Sequence, residues 1–369
     1  MHKMKITVLI GNTMQKGMGI NMKKQILGRL AGVILAAAVC GLLWQYHKST
    51  GERSCTENIF AMDTVMSFTA YGKNSEAAVE AAIKEVERLD ALLSTGKSSS
   101  EISGINKTGG GQGLSEDTAA LFQRGLEFYE DTDGAFDFTV YPLMQLWGFP
   151  TKEYRVPTEE ELQAVLPLVD ASKVRVAGDG TDGVSLGEGQ RVDFGGIAKG
   201  YASERVMERY RECGITSGMV SLGGNVQVLG EKPDGSDWRV GIQDPEGTRG
   251  EQVAVLEVTD CAVVTSGGYE RYFEEDGNTY IHILDPVTGY PAEGDLASVT
   301  VISEDGTLAD ALSTALYIMG FDDAVSYWRA HEGEFETVLI TDQGTIFVTE
   351  GIYEHLSSER EVMVVYRME

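Results

Sequence analysis

The chain has 369 residues, 42% of them apolar and 24% charged, a balance that supports a substantial buried core and excludes a largely disordered protein. Its 57 acidic against 30 basic residues give a formal net charge of −27, a field that repels polyphosphate and argues against nucleic acid as a partner. Four cysteines, Cys40, Cys55, Cys213 and Cys261, lie far apart with no C-x-x-C spacing; this excludes a zinc ribbon or dithiol motif and leaves Cys213 and Cys261 as plain buried thiols.

In chain order, residues 1–21 read as an extension ahead of a true start at Met22 and are set aside. Residues 22–44 combine a short basic segment, Met22 to Arg29, with the apolar run LAGVILAAAVCGLLW, the layout of a secretory signal or a membrane anchor with its basic end in the cytoplasm. The run is short against the roughly twenty residues of a spanning helix, so a cleaved signal and a retained anchor both fit. Cys40 at its end also admits a lipid attachment, although Val39 is larger than the residue expected before such a cysteine. Either way the body faces away from the cytoplasm. Residues 45–58 read as a polar stem, and 59–369 as the folded domain.

The domain opens on IFAMDTVMSFTAYG, rich in strand formers. Ser75 to Leu93 places Val79, Ile83, Val86 and Leu89 at three- and four-residue spacing, which predicts an amphipathic helix. Thr158-x-x-Glu161 and Thr307-x-x-Asp310 predict helix starts by the capping-box pattern. Strand candidates follow as GMVSLGGNVQVLG, WRVGI, VAVLEV, CAVVTS, YIHIL, ASVTVIS, TVLIT and TIFVTE, with turn signals such as Pro233-Asp-Gly235 between them. Consecutive strands without intervening helices predict an α+β fold with antiparallel hairpins and packed helices, not a doubly wound parallel sheet.

Four stretches carry chemistry. In VDFGGIAKG, Gly195 and Gly196 let backbone approach a ligand, and the helix beginning near Ile197 offers free N–H groups to an anion; a plain tight turn would look the same. In SEDGTLADALSTALYIMG, Asp310 and Thr314 are four apart and share a helix face, with Ser313 beside them. Carboxylate and hydroxyl oxygens suit magnesium, and the plainer reading is that Asp310 caps its own helix. In YIHILDPVTGYPA, His282 lies in a strand before a turn, as a half-buried residue or a proton acceptor. DGAFDFTVYPL and TSGGYERYF join glycine turns to aromatics, which suits a flat ring beside backbone amides as well as a core.

Taken together, MDTVMSF, LSTGKSSSEIS, DGAFDFT, VDFGGIAKGYA, SLGGN, TSGGYERYF, HILDPVTGYP and ADALSTAL stand in the order seen in the ApbE-type FAD:protein FMN transferases. The resemblance spans about Ile59 to Arg367, and eight ordered motifs make it specific. It implies an α+β body with a T-fold-like core and a magnesium-dependent, extracytoplasmic enzyme. Such an enzyme cleaves FAD, transfers FMN to a threonine or serine hydroxyl of an acceptor protein, often a membrane redox subunit, and releases AMP. By the family's pattern the metal is held by Asp310, Thr314 and the main-chain oxygen of Gly196, with Ser313 in the place of a further ligand. FAD would touch Met62, Ala135, Phe136, Asp137, Asp193, Lys199 and Leu284, and His282 would activate the acceptor hydroxyl.

Lys199 is placed to meet either phosphate or the adenosine part, while Asp137 and Asp193 suit donors on ribityl, ribose or ring better than phosphate. The chain departs from the family's pattern at Gly96, where several relatives carry tyrosine, and at Ser313, where some carry aspartate. Both departures bear on the balance between transfer to protein and a second reading, a magnesium-dependent FAD pyrophosphatase releasing FMN and AMP. A third reading is a non-catalytic flavin-binding surface lipoprotein, against which the Asp310 and Thr314 pair argues.

Overall fold

The computed structural model describes residues 53–367, so the basic and apolar segments at 22–44, Cys40 and most of the stem lie outside the described residues. The chain divides into Met1–Arg53 and Ser54–Glu369, and the fold is that of the second unit. Its first half runs β1 (Ser54–Ala61), β2 (Thr64–Tyr71), α1 (Ser75–Leu93), α2 (Glu101–Thr108), β3 (Gly110–Gln112), α3 (Glu116–Asp131), α4 (Tyr141–Trp147), α5 (Glu159–Val165), β4 (Arg175–Ala177) and β5 (Gly183–Ser185). Next come α6 (Ala198–Glu212), β6 (Ser217–Leu222), β7 (Asn225–Leu229), β8 (Trp238–Gln243), β9 (Gln252–Val258), β10 (Ala262–Gly267), β11 (Tyr272–Glu275) and β12 (Asn278–Ile281). The chain closes with β13 (Leu296–Ser303), α7 (Gly306–Met319), α8 (Phe321–Ala330), β14 (Glu336–Thr341), β15 (Ile346–Thr349), β16 (Leu356–Ser358) and β17 (Val362–Val365).

A nine-stranded sheet in the order β1-β2-β6-β7-β10-β13-β14-β15-β17 forms the middle layer, antiparallel throughout except for the parallel β15–β17 pair. Helices α1, α6 and α7 cover one face, and the three-stranded sheet β16-β9-β8 covers the other. Strand alternation explains why both faces are apolar. Val299 and Val301 of β13 point to the helix side, whereas Ile302 points to the β8–β9 side, where it meets Trp238, Val240 and Leu256. The predicted α+β class with antiparallel hairpins is what forms.

Local predictions fare unevenly. The amphipathic helix at Ser75–Leu93 forms with Val79, Val86 and Leu89 fully buried, and Thr158 and Glu161 make both halves of a capping box. The run IFAMDTVMSFTAYG is a hairpin, not one strand, because Met62 and Asp63 take φ values of 45° and 60° in the two-residue turn. Its first strand begins at Ser54, inside the stretch read as stem, since the strand-forming side of that segment pairs in register with Thr64–Tyr71. GMVSLGGNVQVLG is likewise split, by Gly223 and Gly224 at φ 64° and 97°. These two hairpin tips touch: a side chain on Gly223 would sit 2.3 Å from the Thr64 hydroxyl.

The Thr307-x-x-Asp310 pair is not a capping box. Asp305 caps α7 by accepting from Leu308 N–H at 2.7 Å, the Thr307 hydroxyl donates to Glu204 at 2.9 Å, and Asp310 turns toward α6. The predicted strand around His282 ends at Ile281, so the histidine stands just beyond it. Cys55, Cys213 and Cys261 are free thiols; only Cys261 is fully buried, and burial raises its pKa to about 12. Among the described residues no helix is long and apolar enough to cross a membrane.

Candidate active site

The segment VDFGGIAKG is fixed before it reaches α6. Asn106 pins Val192 from both sides, accepting from its N–H at 2.7 Å and donating to its carbonyl at 2.8 Å. Phe194 is gripped between Phe138, stacked at 5.3 Å, and Phe122, edge-on at 5.0 Å. Its carbonyl then accepts from Ile197 and Ala198, turning the chain into the helix. At Gly196 a Cβ would lie 3.0 Å from the Phe136 ring, so a larger residue would press on that ring.

Helices α6 and α7 cross where Gly200 meets Gly306: a Cβ on Gly200 would fall 2.2 Å from the Gly306 carbonyl oxygen and 2.7 Å from Asp310 Cβ. That close approach brings the Asp310 carboxylate onto the start of α6, where its Oδ2 accepts the Gly200 N–H at 2.8 Å. Gly200 is the third residue of α6, so its N–H is one of the first-turn donors left without a helical acceptor, and Asp310 fills it; the Gly196 carbonyl lies just ahead of the helix. Asp310 therefore caps the neighbouring helix, an option the sequence reading did not weigh. Gly200→Ala is expected to cost about 1–3 kcal/mol by overpacking, where an unconstrained helical glycine would gain from alanine. Denaturant unfolding checks this, and unchanged stability would remove the glycine contact as the reason for the crossing.

One turn along α7, Thr314 is half-buried and Ser313 fully buried. Ser266, on β10, links them: its hydroxyl lies 2.9 Å from Ser313 Oγ and 3.3 Å from Thr314 Oγ1. Ser313 in turn donates to the Asp310 carbonyl at 2.9 Å. Asp310, Ser313 and Thr314 are thus gathered at one corner with Ser266, and the start of α6 meets them through Gly200; Ser266 carries no signal of its own within the string TSGGY. Burial drives the Asp310 carboxyl above the usual range, opposed by the Lys199 charge, the Gly200 N–H and the Asn225 amide. Among the described residues no three His, Cys, Asp or Glu side chains cluster as a metal site; this corner offers one carboxylate with hydroxyl and main-chain oxygens instead.

Lys199 is half-buried, and its charge reaches Asp310, Glu270 and His282. His282 Nδ1 lies 3.1 Å from the Arg271 carbonyl oxygen, which can only accept, so Nδ1 carries the proton and Nε2 presents a lone pair. Burial, then the Arg271 and Lys199 charges, lower its pKa to about 4, so the ring is neutral at neutral pH. Asp193 accepts from Gly195 N–H at 2.7 Å and faces Arg271 and Asp63. Met62 is half-buried beside Asp63 in the strained hairpin turn.

Four other predicted contacts, Asp137, Phe136, Ala135 and Leu284, pack into the surrounding framework. Asp137 spends its carboxylate on the Thr139 N–H and hydroxyl, at 2.7 and 2.6 Å, and on the Ala171 N–H at 3.1 Å. Phe136 packs edge-on against Phe128, with half-buried Ala135 beside it, and Leu284 joins Trp147, Phe149 and Phe273 in a separate aromatic cluster. A cavity of about 710 Å³ lies away from this corner and is lined by Glu257, Asp260, Glu304, Asp305 and Glu334, a wall of carboxylates unsuited to an anionic ligand.

Behind the site, Glu204 of α6 accepts from Thr307 N–H and hydroxyl at 3.2 and 2.9 Å, clamping the two helices. Burial, then the neighbouring Asp305, raise its pKa from 4.5 to about 7. The folded state thus holds this proton more tightly than the unfolded chain. Its stabilising contribution is full below about pH 4.5 and disappears as pH rises through about 7. Wild type is expected to lose stability across that window relative to Glu204→Gln; parallel denaturant midpoints at every pH would refute it.

Fold and site together define an α+β protein with a hard-oxygen corner between two helix starts and a neutral imidazole nearby. The sequence profile of the ApbE family matches residues 62–339. The FAD:protein FMN transferase of Treponema pallidum is 34% identical over 293 residues, covering 73% of this chain and 80% of that protein. The Haemophilus influenzae protein of the same name is 30% identical, covering 92% and 100%. The crystal structure of the ApbE protein from Thermotoga maritima superposes with a TM-score of 0.77 at 34% identity, over 84% of this chain and all of that one. The chain belongs to the ApbE family.

Proposed function

We propose that this protein is an FAD:protein FMN transferase that uses magnesium and moves FMN onto a threonine or serine hydroxyl of an acceptor protein, releasing AMP. The observation that carries the reading is the Asp310 carboxylate locked onto Gly200 N–H at 2.8 Å beside the Thr314 and Ser266 hydroxyls. The donors fit a magnesium ion: one carboxylate, the neighbouring hydroxyls and, by the family's pattern, the main-chain oxygen of Gly196 just ahead of α6. Bound there, the ion would offset negative charge on the pyrophosphate, which an acidic protein could not otherwise tolerate.

The residues of the chain supply the rest. The free N–H groups at the start of α6 and the Lys199 ammonium attract phosphate oxygens. His282 Nε2 takes the proton of the acceptor hydroxyl as its oxygen attacks the FMN phosphorus; the bond from that phosphorus to the bridging oxygen breaks, and AMP leaves with the electron pair. Arg271 and Lys199 help to hold the imidazole pKa low, and both are cations that an anionic dinucleotide neutralises. Substrate binding therefore raises the basicity of His282 at the moment it is needed. Asp193, which faces Arg271 and Asp63, and Met62 beside Asp63 would suit the flavin half. The basic and apolar segments at 22–44 support an enzyme anchored at the outer face of the membrane, where a membrane redox subunit would be its acceptor.

The test is incubation of the full chain with FAD, magnesium and a Ser/Thr-containing acceptor peptide, read by intact mass. A gain of one FMN unit on the peptide is expected. FMN and AMP without a mass gain would make the protein a pyrophosphatase, and intact FAD would make it a binding protein.

A further inference from the structure

Asn225 opens β7 directly after the Gly223-Gly224 turn, and it is 1% exposed. Neither its amide nitrogen nor its amide oxygen completes a hydrogen bond of ordinary length, although the amide comes close enough to the Asp310 carboxylate to favour its ionised form. Among the described residues no other buried side chain has two orphaned polar atoms. Leaving such groups unpaired in a protein interior is costly, so a fold keeps them only where something else completes them.

The direction of the side chain follows from strand and helix geometry. Residues 225, 227 and 229 of β7 share the helix-facing side, since Leu229 joins the helix-side core while Val226 and Val228 pack toward β8 and β9. Gln227 Oε1 reaches the start of α7, lying 2.9 Å from where a Cβ on Gly306 would be, and accepts from Ser203 at 2.6 Å. Two residues back along a strand is about 6.7 Å, and four residues on along a helix is about 6 Å. Stepping from Gln227 to Asn225 therefore matches stepping from Gly306 to Asp310. The Asp310 Oδ2 atom is taken by Gly200 N–H, and the Asn225 amide lies within reach of the same carboxylate.

We infer that Asn225 is a positioning residue of the cation corner: its Nδ2–H group holds Asp310 Oδ1, and its Oδ1 accepts from a water on the bound divalent cation. The inference rests on the magnesium reading above and goes beyond the family's ligand pattern, in which SLGGN has no assigned part. With Gly200 N–H on one oxygen and Asn225 on the other, the carboxylate plane is fixed before the cation arrives, as second-layer groups fix ligands in other metal sites.

The test uses the full chain, without FAD, and magnesium alone as the probe. Asn225→Leu, close in volume, is expected to weaken the calorimetric Mg²⁺ dissociation constant by about ten- to hundredfold. In chelator its thermal midpoint is expected to change little, because the lost bond to Asp310 is offset by removal of the unpaired Asn225 oxygen. A purely structural asparagine gives the opposite pair, a lowered midpoint in chelator with unchanged Mg²⁺ affinity, and that result overturns the inference. Asn225→Ala is read by the same two measurements if leucine prevents folding, and failure of both to fold also overturns it. A wild-type chain that takes up no Mg²⁺ overturns the magnesium reading itself, whereas wild type and variants binding it equally overturn only the part given to Asn225.

Discussion

Asp310→Asn is expected to lower FMN transfer by at least about a thousandfold, since charge neutralisation by a bound cation supplies several kcal/mol to such a reaction. The substitution is chosen because an amide oxygen still accepts the Gly200 N–H bond that joins α6 to α7. The helix crossing therefore survives, and loss of activity reads out loss of the anionic ligand rather than loss of the fold. FAD cleavage by water should fall in parallel, because both reactions use the same pyrophosphate corner. Intact mass of the acceptor and chromatography of FMN and AMP measure the two products. Full transfer by a folded Asp310→Asn protein would remove Asp310 from the metal site.

His282→Ala is expected to reduce transfer by about 10²- to 10⁴-fold while leaving FAD affinity close to wild type, the signature of a proton acceptor rather than a binding residue. The pH dependence carries the second half of the prediction. Because burial and the two nearby cations hold the imidazole at a pKa of about 4, the free enzyme is already deprotonated at neutral pH. Its kcat/KM should show no inflection near the ordinary histidine value, and should fall only on approach to about pH 4. The alanine variant should lose that acid limb. An unchanged rate and profile would exclude His282 as the base.

Much of the site was legible as types and spacings. Asp310 and Thr314 announce a shared helix face by their four-residue interval, and paired glycines ahead of a helix-like stretch announce a corner open to an anion. Ser266 and Asn225 were visible only as members of the strings TSGGY and SLGGN, because hydroxyl and amide side chains carry no periodic signal. The partner of Asp310 was misjudged for a related reason. A local box seeks its donor three residues away, while the true donor, Gly200, is 110 residues distant and becomes reachable only when two glycines let the helices touch. The Met62-Asp63 turn carries little local signal, because methionine rarely takes positive φ and no glycine or asparagine marks the position.

The sequence by itself determined the α+β class, the amphipathic helices and which residue types could bind a cation or take a proton, since periodicity and side-chain chemistry are local properties. Tertiary structure alone decided which oxygens share a corner, which nitrogen of His282 is free, and that Asp137 holds a turn with its carboxylate. Those outcomes depend on distances between segments far apart in the chain. They follow from the packing of α6 and α7 against one face of the central sheet, which no single segment encodes.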